Sequence, residues 1–372
     1  MCEIKPKINS CFNNSLVKES YQTPNPDLDV KKKTFYEEIN SGKKALIEFI
    51  KKNNPKVLEK FEIIELINKG SSGIVFKGNY KLYNRHVAMK FSKKKHIKKN
   101  NTNENMDSIL TQEMIISQKL HHAKVIETYA HINLKELNLS ILEYGKNGDL
   151  DYFVKYLLHR KFISETALNY FAKQILEGLQ YLHKCKIVHM DIKPANIIVD
   201  SSLNIKIADF NVSCSYANFN PNSLVRFPFV GTSKFIAPEI IRKDNMRVKY
   251  SEKIDIYSLG VTLYYLFYGN YPYKFDEIKG KDYDKILKYI EKYDLEFPEQ
   301  DRRKISGQLK NFFEKILGKN YINRFGIKEA LDHPWIKANE AIMEEKENLG
   351  CLESFLAKLI TDGIPNFNEL IK

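Results

Sequence analysis

The sequence predicts an α+β protein of two lobes, a small β-rich one followed by a larger helical one. Three observations carry that expectation. Short β-rich runs separated by turn residues fill most of the stretch from Phe61 to Leu142. A single helical stretch interrupts them. After Gly145 the apolar pattern changes to a mainly helical period.

Taken in order, residues 1–34 are polar and rich in Asn, Ser, Lys and Pro. Such a segment buries too little apolar surface to offset ordering entropy, so disorder is expected. Over 35–60, the residues Phe35, Ile39, Leu46, Phe49 and Ile50 form a partial helical stripe that ends near Pro55. This predicts a helical extension docked on the domain that follows. FEIIELI, IVFKGNY and HVAMKF read as strands, Met106–Leu120 as a helix, and Val125–Ile132 and Leu139–Leu142 as two further strands. Asp151–His159 and Ser164–Lys184 read as amphipathic helices, with Ser164 as an N-cap. Glu252–Tyr268, Tyr283–Lys292 and Ser306–Leu317 are the remaining long helices. In the tail, 337–372, Leu352, Phe355, Leu356, Leu359 and Ile360 make an apolar stripe at helical spacing.

The bulk numbers exclude several classes. Of 372 residues, 43% are hydrophobic and 28% charged, which suits a globular protein with a sizeable core. The net charge of +13 comes from lysines spread along the chain. The one dense basic run, KKKHIKK at Lys93–Lys99, lacks interleaved aromatics for base stacking, so no nucleic acid partner is expected. Cys2, Cys11, Cys185, Cys214 and Cys351 include no close pair, which argues against a zinc site or a CxxC redox motif. No apolar run is long enough to span a bilayer, and the first residues lack the apolar core of a signal peptide. A cytoplasmic or nuclear location is the expectation.

The chemistry concentrates in HMDIKPAN, from His189 to Asn196, followed by Ala208-Asp209-Phe210 and later by Ala237-Pro238-Glu239. Asp191 is followed by a lysine two residues on and an asparagine five residues on; Asp209 comes thirteen residues after that asparagine. This layout can place a base, a cation and two metal ligands around one transferring phosphoryl group. Upstream, NKGSSGIVF is a glycine-rich turn between two strand runs, and VAMK ends in Lys90. A helix through QEMIISQKLHH puts Glu113 on one face with Ile116 and Leu120.

Together these motifs resemble the eukaryotic protein kinases of the serine/threonine class, with HMD where that family has HRD and DFN where it has DFG. The ending EALDHPWI is similar to that of the calcium/calmodulin-dependent group. The resemblance covers 61–336, with 61–143 as the N-lobe and 146–336 as the C-lobe, and it implies the two-lobed kinase fold. It implies that Asp191 acts as general base, Lys193 neutralises charge on the γ-phosphoryl oxygens, and Lys90, paired with Glu113, holds the α- and β-phosphates. It implies Asn196 and Asp209 as Mg2+ ligands. ATP would lie against Asn68, Lys69, Gly70, Ser71, Ser72, Gly73, Val75 and Ala88, with Leu142 as gatekeeper, Glu143 and Gly145 offering backbone groups to adenine, and Asp149 meeting the ribose. Glu143–Gly148 also reads as an ordinary turn between lobes. His189 is expected to pack structurally beside Phe210, Thr232 to hydrogen-bond Asp191 and Lys193, Glu239 to pair with Arg324, and Asp255 to anchor the catalytic loop backbone.

The implied activity is Mg2+·ATP-dependent phosphorylation of protein substrates with Ser or Thr acceptors. The alternatives are a pseudokinase acting as an ATP-binding scaffold, and a small-molecule kinase, against which the Lys193-Pro194 pair and the APE segment count. Asn68, Met190 and Asn211 depart from the family pattern. Asn211 is expected to keep the local geometry by adopting a left-handed backbone. Met190 removes the cation that would receive a phosphate on the loop that follows, where Ser213, Ser215 and Ser223 are the candidate sites.

Overall fold

The computed structural model of the chain describes residues 43–70, 73–94, 112–157, 163–216, 224–225, 232–242, 248–249, 252–273, 278, 282–298 and 305–338. The expectations for 1–34, for 339–372 and for most of the basic run lie outside them, as do Ser71, Ser72, Gly231 and Ser223. The chain divides into two compact units, one within Met1–Leu120 and Glu127–Tyr144, the other within His121–Ile126 and Gly145–Lys372.

The first unit opens with helices α1, Lys43–Asn53, and α2, Lys56–Lys60. Pro55 stands between them, where its fixed φ of −60° suits a helix start and its missing N–H costs nothing. Strands β1 (Phe61–Gly70), β2 (Gly73–Tyr80) and β3 (Arg85–Lys93) follow, then helix α3 (Gln112–Ser117), then β4 (Thr128–Asn133) and β5 (Leu137–Glu143). All strand pairs are antiparallel, in the order β1-β2-β3-β5-β4. The side-chain period of two gives this sheet two distinct faces. On one, Ile74, Phe76, Met89, Phe91, Leu139 and Ile141 are buried with Leu46, Phe49, Ile50 and Val57 of the two leading helices. Register puts Val75 opposite Lys90, Lys90 opposite Ser140, and Ala88 opposite Leu142, so these five share the other face.

The second unit begins with α4, Leu150–Tyr152, which runs into a π-helical turn at Phe153–Leu157. The expected α-helix over Asp151–His159 is therefore corrected: of that range only Asp151 and Tyr152 are α-helical, and 158–159 lie outside the described residues. Phe153 and Val154 are both buried; a wider turn sets two adjacent bulky side chains inward together. Helix α5 spans Glu165–Lys184, with the Ser164 hydroxyl accepting from the Ala167 N–H at 3.1 Å. Strand β6 (Ile187–Val188), a 3₁₀ turn (Pro194–Asn196), β7 (Ile197–Val199), β8 (Ile205–Ile207) and β9 (Cys214–Ser215) form two small ladders, β6 with β9 and β7 with β8. Helices α6 (Pro238–Ile241), α7 (Lys253–Tyr268), α8 (Tyr283–Lys292), α9 (Gly307–Ile316), α10 (Ile327–Asp332) and α11 (Pro334–Lys337) complete it. Helix α7 is apolar around most of its circumference and correspondingly buried on all sides; left-handed Gly269, at φ 73°, ends it. Val125 and Ile126, expected to begin a strand of the sheet, join this unit instead, within segment His121–Ile126. Val125 bridges to Ile207 in parallel, and the Ile126 N–H donates to the Ile207 carbonyl at 2.9 Å.

The extension ahead of Phe61 is thus structural core. Leu46 is fully buried against the sheet, and its truncation leaves a cavity that the sheet cannot fill by collapsing. Leu46→Ala should cost about 2–5 kcal/mol in urea unfolding, whereas Leu66→Ala, at a position 54% exposed, should cost about 0.5 kcal/mol or less. Equal costs would show that the extension does not pack on the sheet.

Candidate active site

In the β-rich unit, Lys90 is buried on β3 and its Nζ lies 2.6 Å from Glu113 Oε1 on α3. The one-turn rise of α3 places Glu113 and Ser117 on the same face. Ile116 and Leu120 are buried beside them, and Ile115 faces out at 44% exposure. Gly73 adopts φ 142°, and a Cβ there would collide with the Phe91 carbonyl oxygen, so the close approach of β2 to β3 requires glycine at this point. At Asn68, in β1, the side-chain oxygen accepts the Lys69 N–H at 2.7 Å. The Glu143 N–H is spent on the Glu127 carbonyl at 2.9 Å.

Three polar residues beyond those read from the sequence sit beside the Lys90–Glu113 pair. His131 on β4 pairs in register with Ser140, which itself pairs with Lys90. Ser140 Oγ is 2.8 Å from His131 Nδ1, and Ser117 Oγ is 3.1 Å from His131 Nε2. The imidazole is pushed down to about 4, by burial first and by the Lys90 ammonium second; a backbone contact with Met114 works the other way.

In the helical unit, the β7–β8 hairpin does the positioning. Asp200 closes its turn by accepting the N–H groups of Ser202 and Asn204 at 2.8 and 2.9 Å. The register Ile197↔Ile207 then sets Asn196 beside Ala208, whose N–H donates to the Asn196 carbonyl at 2.9 Å, and Asp209 follows. Before the hairpin, Asp255 accepts the N–H groups of His189 and Met190 at 2.9 and 2.8 Å. His189 Nδ1 accepts the Asp191 N–H at 3.3 Å, so its Nε2 carries the proton donated to the Ala208 carbonyl at 3.0 Å. Its ring meets Phe210 edge-on at 5.2 Å.

Asp191 is held by several donors. Lys193 Nζ and Asn196 Nδ2 reach its Oδ2 at 2.7 and 2.9 Å, and the Thr232 N–H reaches its Oδ1 at 2.8 Å. Lys193 also donates to Thr232 Oγ1 at 2.6 Å. Thr232 therefore meets Asp191 through its backbone and Lys193 through its hydroxyl. Arg324 forks onto Glu239 at 2.6 and 2.9 Å, both side chains buried.

Two expectations change, at Asn211 and at Ser213. Asn211 does not take the left-handed backbone; within the Asp209-Phe210-Asn211 triplet that conformation falls on Asp209, at φ 69°. Asn211 instead donates its side-chain amide to Asp209 Oδ1 at 2.6 Å. Ser213 is buried and donates to the His189 carbonyl at 3.1 Å, which makes it a structural hydroxyl rather than a phosphorylation site. Asp149 accepts the Tyr152 N–H at 2.9 Å as the N-cap of α4, and burial raises its pKa. Gly145 has a packing reason of its own, because a Cβ would collide with Ile198.

These two half-sites carry the signature residues of a phosphotransferase, and comparison places the chain in a family. The profile described as Protein kinase domain matches residues 61–336, and the chain belongs to that family. Calcium-dependent protein kinase 4 of Plasmodium falciparum is 29% identical over 337 residues, 89% of this chain and 59% of that protein. Death-associated protein kinase 2 of Homo sapiens is 31% identical over 307 residues, 81% of this chain and 78% of the relative. An Aurora kinase of Candida glabrata is 30% identical over 288 residues, 77% and 74%. The chain thus spans less than two thirds of the Plasmodium relative's length. No described helix is long and apolar enough to cross a membrane.

The half-buried imidazole has a measurable consequence. Unfolded, His131 takes up a proton near pH 6.5; folded, it does so only near 4. Between those values the unfolded chain binds the extra proton, so this group lowers stability as pH falls through the window. His131→Gln should flatten that part of the curve of unfolding midpoint against pH. Parallel curves for the two proteins would contradict the assignment.

Proposed function

We propose that the chain is a serine/threonine protein kinase that transfers the γ-phosphoryl group of Mg2+·ATP to protein hydroxyls. The observation that carries this reading is the set of donors on Asp191. A carboxylate fixed by Lys193, Asn196 and the Thr232 N–H is oriented, yet Oδ1, which accepts from the Thr232 N–H alone, keeps lone-pair capacity to accept a proton from a substrate hydroxyl. Lys193 beside it supplies positive charge where negative charge develops. Thr232, bound to both, links the segment that would receive a peptide to the reacting centre. Lys90, held by Glu113, is the cation for the α- and β-phosphates. The glycine-rich turn with Val75, Ala88, Leu142, Glu143, Gly145 and Asp149 is the proposed nucleotide site.

The residues present fit Mg2+. Both amide hydrogens of Asn196 are committed to Asp191, at 2.8 and 2.9 Å, which leaves its amide oxygen as the ligand atom. Asp209 adds a carboxylate, held by Asn211. Among the described residues no cluster of three or more His, Cys, Asp or Glu could hold a metal alone. Two protein oxygens suit an ion that fills its octahedron with water and phosphate oxygens. When bound, Mg2+ would neutralise phosphate charge.

Asp191→Asn and Lys90→Met should each abolish phosphate incorporation into a broad peptide panel while leaving the circular dichroism spectrum intact. Wild-type protein that binds ATP but labels no peptide would put the scaffold reading in first place.

Control by loop phosphorylation is not expected. Met190 is buried at φ 67° and offers no charge. Two of the cations that might stand in are engaged elsewhere. Lys234 lies 4.6 Å from the Tyr271 ring centre, and Arg242 pairs with Glu291 at 3.3 Å. Ser215→Ala combined with Ser223→Ala should keep most of the wild-type rate, and phosphatase treatment should change it by less than about twofold, an energy below about 0.5 kcal/mol. A collapse in either experiment, with fold retained, would reveal another phosphate receptor.

A further inference from the structure

We infer that His131 is a positioning residue: a neutral imidazole that ties helix α3 to strands β4 and β5 and so sets Glu113 against Lys90. The inference deepens the proposed kinase reading and rests on it for the catalytic readout. Lys90, Ser140 and His131 form one cross-strand row over β3, β5 and β4. Helix α3 is fastened to this row at two points one turn apart. Glu113 meets Lys90 at 2.6 Å, and Ser117 meets His131 at 3.1 Å. A single ion pair fixes one point of a helix and leaves it free to rotate about that point; a second contact four residues on removes the rotation. Within the described part of this helix, Gln112–Ser117, Met114 and Ile116 pack inward, and the two polar contacts add the rotational setting that brings Glu113 to Lys90.

The imidazole is suited to the task because it is bidentate and uncharged. The Ser117 hydroxyl donates to the Met114 carbonyl at 3.3 Å, so its oxygen accepts from His131 Nε2–H. Nδ1 is then the acceptor for the Ser140 hydroxyl at 2.8 Å. Its donor and its acceptor meet the Ser117 and Ser140 hydroxyls, with the Met114 backbone as a further hydrogen-bond partner of the ring on the same helix. A protonated ring would lose its acceptor and would stand near the Lys90 ammonium. An apolar residue at 131 would fill the same space but leave the Ser117 and Ser140 hydroxyls without this partner.

The test is a double-mutant cycle on the full chain, read by kcat, by KM for ATP and by the affinity of a fluorescent ATP analogue. His131→Leu should lower kcat at least tenfold while thermal unfolding stays cooperative. In a Glu113→Gln background the same change should cost less than twofold, because the pair it positions is already gone. His131→Asn, which keeps a donor and an acceptor, should recover part of the loss. If His131→Leu does not fold, Ser117→Ala breaks one link of the clamp and takes its place in the cycle. Equal losses in both backgrounds, or no loss in the wild-type background, would overturn the inference. Wild-type protein without phosphotransfer would overturn the kinase reading instead; the cycle then stands on nucleotide affinity, where the same non-additivity is expected and additivity would overturn the clamp.

Discussion

The buried carboxylate of Asp255 is the fixed point of the helical unit. It has no solvent exposure and accepts from three donors: the backbone N–H groups of His189 and Met190 and the ring of His183, at 2.9, 2.8 and 2.9 Å. Taking a carboxylate out of water costs several kcal/mol, which only complete hydrogen bonding can offset. Two of the donors are consecutive amides, so the chain at that point cannot turn. This allows Met190 to hold a φ of 67°, a conformation that costs about 1–3 kcal/mol in a non-glycine residue. The direction in which Asp191 leaves that turn follows from it. So does the reach of His189 to the Ala208 carbonyl, which links the loop to the residue before Asp209. Asp255 can serve because it lies in the first turn of α7, a helix packed on all sides.

The β-rich unit solves a different problem by similar means. Lys90 must remain charged while buried, and a lysine in apolar surroundings otherwise tends to lose its proton. Glu113 supplies the opposite charge from the helix described over Gln112–Ser117. The sheet behind that helix is rigid because its far face is filled by large apolar side chains, including those of the leading helices. The near face offers polar partners in register. Packing on one face therefore supports electrostatics on the other, and the extension before Phe61 contributes to the first.

Much of this was legible in the sequence where local signals and tertiary demands agree. Ser164 caps α5 because a serine before an amphipathic run is both a cap and a boundary. Tyr283–Lys292 appears with the bounds that its apolar spacing predicts. The ion pair between Glu239 and Arg324 and the anchoring by Asp255 followed from family resemblance, not from spacing, since each joins residues more than sixty positions apart. Legibility failed where a tertiary contact overrode a local rule. The stretch after Asp149 has helical periodicity, but the two buried residues Phe153 and Val154 lie in a π turn. Asn211 has the propensity for a left-handed backbone, yet a neighbouring aspartate takes it. His131 and its two serines looked like unremarkable strand and helix residues, because their partnership exists only in the register of β4 on β5 and in the placement of α3.

The departures from the family pattern share one physical character. At residue 190 an arginine would hold a charge available for a phosphate added later; methionine is instead buried, and its position is set by packing that is always present. At residue 211 a glycine would leave Asp209 dependent on its surroundings for orientation; asparagine holds its carboxylate by a hydrogen bond across two residues. At residue 68 the asparagine side chain closes on the next N–H, a contact that glycine lacks. Each exchange replaces a contact that depends on a ligand, a phosphate or backbone freedom with one internal to the fold. The arrangement around Asp191 and Asp209 is accordingly biased toward a single state before any modification, because the contacts that maintain it have no off condition other than local unfolding.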